Sequence, residues 1–222
     1  MKRICSAGIS LAVLLLAAPM LRAQDLSHYR NFSLGMSVAD LSKLTDSRPV
    51  DFKVVHQRPA LIEELTWWPR LSGYPPQPEA IREIHFSFCD GKLYRIYVTY
   101  DNKATEGMTA DDMVRAISAR YGTPSTPDAR ITFSGGGYGA TAKVLDRWED
   151  AQYSVNLLQP SFDSGYALVL FAKQQNAEAE AAITAAANLE QQNAPQREID
   201  RKQKEADELE ASRAKNVKTF HP

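Results

Sequence analysis

Gly107-Met108-Thr109-Ala110-Asp111-Asp112-Met113 restates, 72 residues downstream, the phrase Gly35-Met36-Ser37-Val38-Ala39-Asp40-Leu41. Both read Gly-Met-[Ser/Thr]-x-x-Asp followed by an apolar residue, and the chemistry of helix starts explains the pattern. The hydroxyl of Ser37 or Thr109 accepts from amides that a first helical turn leaves free, and the carboxylate three residues later completes a capping box with Asp in place of Glu. Each carboxylate also favours the positive end of the helix dipole. Met36 and Met108 precede the caps and face Leu41 and Met113 as hydrophobic staples. The second helix continues through Val114, Ile117 and Tyr121 and stops at Gly122-Thr123-Pro124, where Gly caps and Pro cannot continue. The first shows Val38, Leu41 and Leu44 and ends before Pro49.

After each helix the period changes to two. Ile84, Phe86 and Phe88 alternate, then Tyr94, Ile96 and Val98 alternate beyond Asp90-Gly91, which reads as a hairpin. A two-residue turn would mix the faces. A three-residue loop, Cys89-Asp90-Gly91, sets Phe86 against Tyr94 and Ile84 against Ile96 and keeps one face apolar. The other face then carries His85, Ser87, Arg95, Tyr97 and Thr99. In the second half, Trp148 is expected to face Tyr153 and Val144 to face Leu157, across a turn at Asp150-Ala151. Leu157 then pairs with Leu168 and Val155 with Leu170. Asp146 falls inward in this register and calls for a bulge or a basic partner. Further strands are expected at Val50 to Val55, Ile62 to Trp68 and Ile131 to Phe133.

The fold class is therefore α+β: two tandem units, each a helix plus a four-stranded antiparallel sheet, followed by a C-terminal Ala-rich, charged helical tail. The boundaries are 1–23 for a signal peptide, 24–104 and 105–173 for the two halves, and 174–222 for a helical or disordered charged tail. Ala-rich sequence to Ala187 is helical on propensity. Beyond Pro195, Ile199, Ala206 and Leu209 are too few for a coiled-coil seam.

The N-terminus gives an address. Lys2-Arg3, the apolar run from Ile9 to Ala18, and the small-residue end at Ala23 read as a cleavable signal peptide, about ten apolar residues where a membrane span needs roughly 20. The mature protein is expected in the periplasm or secreted, with no integral membrane segment. Without Lys2, Arg3 and Arg22 it carries 23 basic and 27 acidic residues, a balance that selects neither nucleic acid nor anionic lipid. Cys89 is then the only thiol, shielded or paired with another chain.

The phrase from Gly107 to Val114, ending in Tyr121-Gly122-Thr123-Pro124, resembles the Gly-Met-Thr…Val…Gly-x-Pro signature of the SmpA/OmlA, or BamE, envelope proteins. The doubled helix-plus-sheet unit is similar to the tandem architecture of β-lactamase inhibitor proteins. The resemblance spans roughly Gly35 to Ala172 and implies a protein that binds other proteins and has no catalytic site. The interval from Gly107 to Gly122 is about one helical turn longer than the BamE pattern, and a lipid-attachment cysteine is absent from the cleavage region.

Chemistry-bearing motifs are sparse. His28, His56, His85 and His221 stand apart at no metal-ligand spacing, so neither metal nor cofactor is expected. Glu63 and Glu64, beside Trp67 and Trp68, point to opposite faces of a strand and cannot act as a carboxylate pair. Gly135-Gly136-Gly137-Tyr138-Gly139 lacks the Lys-[Ser/Thr] of a phosphate loop. The suggestive feature is the polar sheet face. Arg95, Tyr97 and His85, with Trp67 or Trp68, are of the types that dominate protein-binding energy. The leading expectation is a non-catalytic exported interaction module of the cell envelope, its partner another envelope or secreted protein. The alternatives are a small-ligand carrier, and behind it a hydrolase using His56 with Glu63 or Asp146.

Overall fold

The computed structural model describes residues 25–69, 80–132, 141–160 and 165–220. The segment read as a signal peptide and the glycine-rich run at 135–139 lie outside them. A hairpin of β1 (His28–Tyr29) and β2 (Phe32–Ser33) precedes α1 (Val38–Thr45), and α2 (Ala110–Tyr121) comes midway along the chain. Both helices begin at the caps expected. The Asp40 amide donates to Ser37 Oγ at 3.2 Å, and at α2 the box is complete: the Asp112 amide donates to Thr109 Oγ1 at 3.2 Å, and the Thr109 amide to Asp112 Oδ2 at 3.0 Å. Met36 and Met108 pack against the same core that buries Leu41 and Met113.

These caps make the protein acid-sensitive in a defined direction. The Thr109 amide, and after it the Thr109 hydroxyl, hold the Asp112 carboxyl below its ordinary value of 3.8, and the Ser37 hydroxyl does the same for Asp40. A carboxyl depressed in the folded state stabilises fully above its unfolded value, and that contribution is lost as pH falls through the folded value. Thr109→Ala should cost about 1 kcal/mol at pH 7. Urea midpoints at pH 7 and pH 3 should then show a smaller acid loss in the variant than in the parent.

Eight strands form one antiparallel sheet: β3 (Lys53–His56), β4 (Ile62–Trp67), β5 (Ile81–Cys89), β6 (Lys92–Tyr100), β7 (Arg130–Thr132), β8 (Thr141–Glu149), β9 (Tyr153–Pro160) and β10 (Ala167–Ala172). Their spatial order is β3-β4-β5-β6-β10-β9-β8-β7, so β6 and β10 meet at the centre. The protein is α+β, a large antiparallel sheet with a long C-terminal helix, α3 (Lys173–Thr219).

Register differs from expectation at both hairpins: in the first a bulge, not a longer loop, keeps the faces apolar, and in the second the turn falls at Ala151-Gln152 instead of Asp150-Ala151, with the Asp150 amide bonded to the Tyr153 carbonyl, before a bulge follows. Cys89 pairs with Lys92 across a two-residue turn whose Asp90 and Gly91 both have positive φ, 48° and 75°. Phe88 then faces Leu93, a bulge at Tyr94 follows, and Phe86 meets Ile96 while Ile84 meets Val98. In the second hairpin Trp148 faces Val155 and Asp146 faces Leu157, and a bulge before Asp146 sends Val144 to the opposite face, against Leu158. Asp146 accepts a 2.7 Å hydrogen bond from Thr126 Oγ1. Leu157 pairs with Leu168 and Val155 with Leu170, as the alternation predicts. The strand expected from Val50 begins later, because Pro49–Asp51 form a single 3-10 turn before β3.

The main core lies between one sheet face and the helices α1 and α2. It buries Leu41, Phe86, Phe88, Ile96, Val98, Ile117, Trp148, Val155 and Leu170, with Tyr29 and Phe32 of the N-terminal hairpin. α3 is on the opposite face. Ala179 and Ile183, four residues apart on one side of the helix, pack on Ile62 and Tyr94. α3 runs on through Pro195, and Arg197 Nη2 donates to the Glu190 carbonyl across that turn. Past Ala186 every described residue of α3 is exposed. Ion pairs such as Glu198 with Arg201 and Lys204 with Glu208 lace this exposed part.

Candidate functional site

The second sheet face, expected to be open, is divided by α3. At the hairpin end the helix covers Tyr94 and Arg95. Arg95 is only 6 % exposed, lies 5.3 Å over the Tyr94 ring, and its Nη1 reaches Glu180 Oε1 of α3 at 2.9 Å. This corrects the reading of Arg95 as a surface contact. A free sheet face with an apolar strip along Ile62 and Tyr94 is filled by the chain's own Ala-rich helix, and the guanidinium is spent on holding it.

Beyond the helix the same face carries a connected polar and aromatic set. Register puts Thr66 on β4, His85 on β5 and Tyr97 on β6 side by side. Thr66 Oγ1 lies 2.9 Å from His85 Nδ1, and His85 Nε2 lies 3.4 Å from Glu83 Oε1. Trp68 Nε1 donates to Glu83 Oε2 at 3.1 Å. The His85 ring sits 6.1 Å from that of Tyr97. The Glu83 carboxyl is held below its usual value, chiefly by His85, against the opposing effect of burial. Trp68 is 43 % exposed. Trp67 points the other way, into the main core, with its ring 5.6 Å from Phe32.

Of the five residues singled out from sequence, the structure therefore brings His85, Tyr97 and Trp68 together and places Arg95 under α3 and Trp67 in the core. Sequence reasoning missed Glu83 and Thr66. Glu83 was within reach, since residues two apart on a strand share a face and His85 was already assigned to it. Thr66 depends on the β4–β5 register, which alternation alone does not set. The residues of the hydrolase alternative are not brought onto one face: His56 of β3 pairs with Ile62 on β4 and its Nδ1 contacts Glu190 Oε1 of α3 at 3.2 Å, Glu63, next to Ile62, faces the other side of the sheet, and Asp146 is on β8 with Thr126.

A groove of about 580 Å³ borders this cluster at the outer edge of β4. Thr45, Asp46 and Ser47 at the end of α1 form one wall, Asp51 and Lys53 another, and Glu64 to Trp68 the third. Among the described residues no group of three or more His, Cys, Asp or Glu side chains is placed to hold a metal ion, and no helix is long and apolar enough to cross a membrane. Cys89 is a free thiol beside the α3 contact, and burial pushes its pKa up, away from thiolate reactivity.

Compared with protein families, curated proteins and solved structures, the chain matches none.

Proposed function

We propose that this chain is a non-catalytic, exported protein-interaction module of the cell envelope or periplasm, whose partner docks on the part of the second sheet face that α3 leaves uncovered. The observation that carries the reading is the convergence of Trp68, His85, Tyr97 and Glu83 there. An exposed Trp beside Tyr, with a His and a Glu side chain in contact, is a composition of the kind that concentrates binding energy at protein interfaces. The hydrogen bonds of Trp68 with Glu83 and of His85 with Thr66 hold these rings in place, which lowers the entropy lost on docking. Export is supported by the basic, apolar and small-residue pattern of residues 1–23.

Within this reading the fold is two tandem helix-plus-four-strand units. In support, α1 precedes β3 to β6 and α2 precedes β7 to β10, the strand order runs outward in mirrored sequence from the β6–β10 seam, and both helices start on the same cap. The resemblance to tandem inhibitor proteins and BamE-type proteins points the same way.

Affinity capture by residues 24–222 from the organism's own envelope extract tests the proposal. Truncation after Gln191 keeps the docked part of α3 and should leave capture intact. Tyr97→Ala with His85→Ala should reduce the captured partner's affinity at least about tenfold, 1.4 kcal/mol or more. Unchanged affinity in that variant would remove the proposed surface, and loss on truncation would move the interaction to the exposed helix.

A further inference from the structure

We propose that the groove at the outer edge of β4 receives an extended, basic peptide segment of a partner protein, which joins the sheet as a short strand in line with β3. This rests on the reading of the chain as an interaction module and names the chemistry of its partner.

The strand edge is the first observation. β3 covers β4 only from Ile62 to Glu64, because upstream of Lys53 the chain turns away through Pro49–Asp51. Leu65, Thr66 and Trp67 therefore have β5 on one side and, among the described residues, no strand on the other. An uncovered edge presents unpaired amides and carbonyls, which sheet proteins ordinarily hide or blunt. Here the end of α1 stands off from the edge and leaves the groove between them. From Leu65 to Trp68 it runs four residues, about 13 Å at roughly 3.3 Å per residue, room for an added strand of similar length. Strand addition supplies main-chain hydrogen bonds, and side chains pointing alternately from the added strand give selectivity.

Charge decides the kind of peptide. Asp46, Asp51 and Glu64 line the groove against a single Lys53. Asp51 is bonded to Arg48, whereas Asp46 and Glu64 join no ion pair among the described residues. Asp46 is also misplaced for stability. It caps the C-terminal end of α1 with φ 53°, where the left-handed backbone favours Gly or Asn and the helix dipole disfavours an acid. A cation bound in the groove gives that carboxylate a purpose that folding does not. A second copy pairing edge to edge would instead bring two sets of Asp46, Asp51 and Glu64 together.

Fluorescence anisotropy on residues 24–222 with four labelled probes tests this: a short Thr/Val peptide carrying lysines, the same peptide with glutamates in their place, and the lysine peptide N-methylated at alternate amides in each of the two registers. The lysine peptide should bind at least about tenfold more tightly than the glutamate one, less so at high salt, and N-methylation in the register that blocks the edge-facing amides should abolish binding. Asp46→Lys with Glu64→Lys should invert the preference. If that variant does not fold, Asp46→Asn with Glu64→Gln should erase it. No binding of any probe, equal binding of both charge types, or undiminished binding of every N-methylated register overturns the groove assignment. Capture that still depends on Tyr97 and His85 in that event leaves the interaction reading standing, and loss of that dependence removes both.

Discussion

Trp148→Ala is expected to lower the unfolding free energy by about 3–5 kcal/mol, the range for removing a large aromatic from a packed core. The side chain is 2 % exposed and sits in the core shared by the sheet, both short helices and the N-terminal hairpin. Its indole N–H also donates to the Gly122 carbonyl at 2.8 Å, with Ser118 Oγ at 3.3 Å. That bond fixes the C-terminal end of α2, where Gly122 takes φ 82° and the chain turns toward the second group of strands. Two losses therefore combine: packing, and the hydrogen bond to the half-buried Gly122 carbonyl, worth about 1 kcal/mol of the total. Trp148→Phe separates them by keeping most of the volume and removing the donor, so it should fall between parent and Ala variant. Both should unfold in one transition by circular dichroism and tryptophan fluorescence, because side chains from the β3–β6 and β7–β10 groups lie in one core. A separate early transition in Trp148→Ala would show that the two groups fold independently.

How much of this was legible follows from the range of each signal. The caps at Ser37 and Thr109 are local, involving residues three apart, and the helices begin where they require. Alternation at Ile84–Phe88 and Tyr94–Val98 is local too, and it assigned the strands. It could not reveal the bulges at Tyr94 and before Asp146, because a bulge and a longer loop both restore the same facing of apolar side chains; tertiary packing chooses between them. Asp146 did show, as an inward carboxylate, that the simple register was wrong.

The site was less legible because it depends on which element covers which face. His85, Tyr97 and Trp68 were recognised by residue type, yet their company with Thr66 and Glu83 needed the pairing of β4 with β5. The groove has no motif at all: it exists because a three-residue turn at Pro49–Asp51 delays the start of β3. The largest misreading was the open face. Ala179, Ile183 and Ala186 form an i, i+4, i+7 stripe within a segment judged only for helix propensity, and such a stripe asks for a partner surface. The apolar pair Ile62 and Tyr94 is that surface.

Arg95 and Glu180 give the sharpest test of that covering helix. Glu180→Ala should destabilise the protein by about 2 kcal/mol. Removing one member of a buried pair ordinarily costs about 3–5 kcal/mol, because the remaining charge stays desolvated. Arg95 fits that case with its side chain 8 % exposed, but Glu180 is 28 % exposed, so water recovers part of the loss. Arg95→Leu with Glu180→Leu removes both charges from an apolar contact and should come within about 1 kcal/mol of the parent, since a buried ion pair and a packed hydrophobic pair are often close in stability. The double-mutant cycle from urea midpoints thus yields a coupling energy that the single changes cannot, provided both singles fold. A second readout tests position. In Glu180→Ala, with one tie fewer, the helix should lift more often from Ile62 and Tyr94, and protease should cut near Ala179 to Ala187 faster than in the parent. In the double Leu variant that region should stay protected. Additive single effects with unchanged cleavage would mean that α3 does not depend on this pair, leaving its apolar stripe and the contact of His56 with Glu190 to hold it on the sheet.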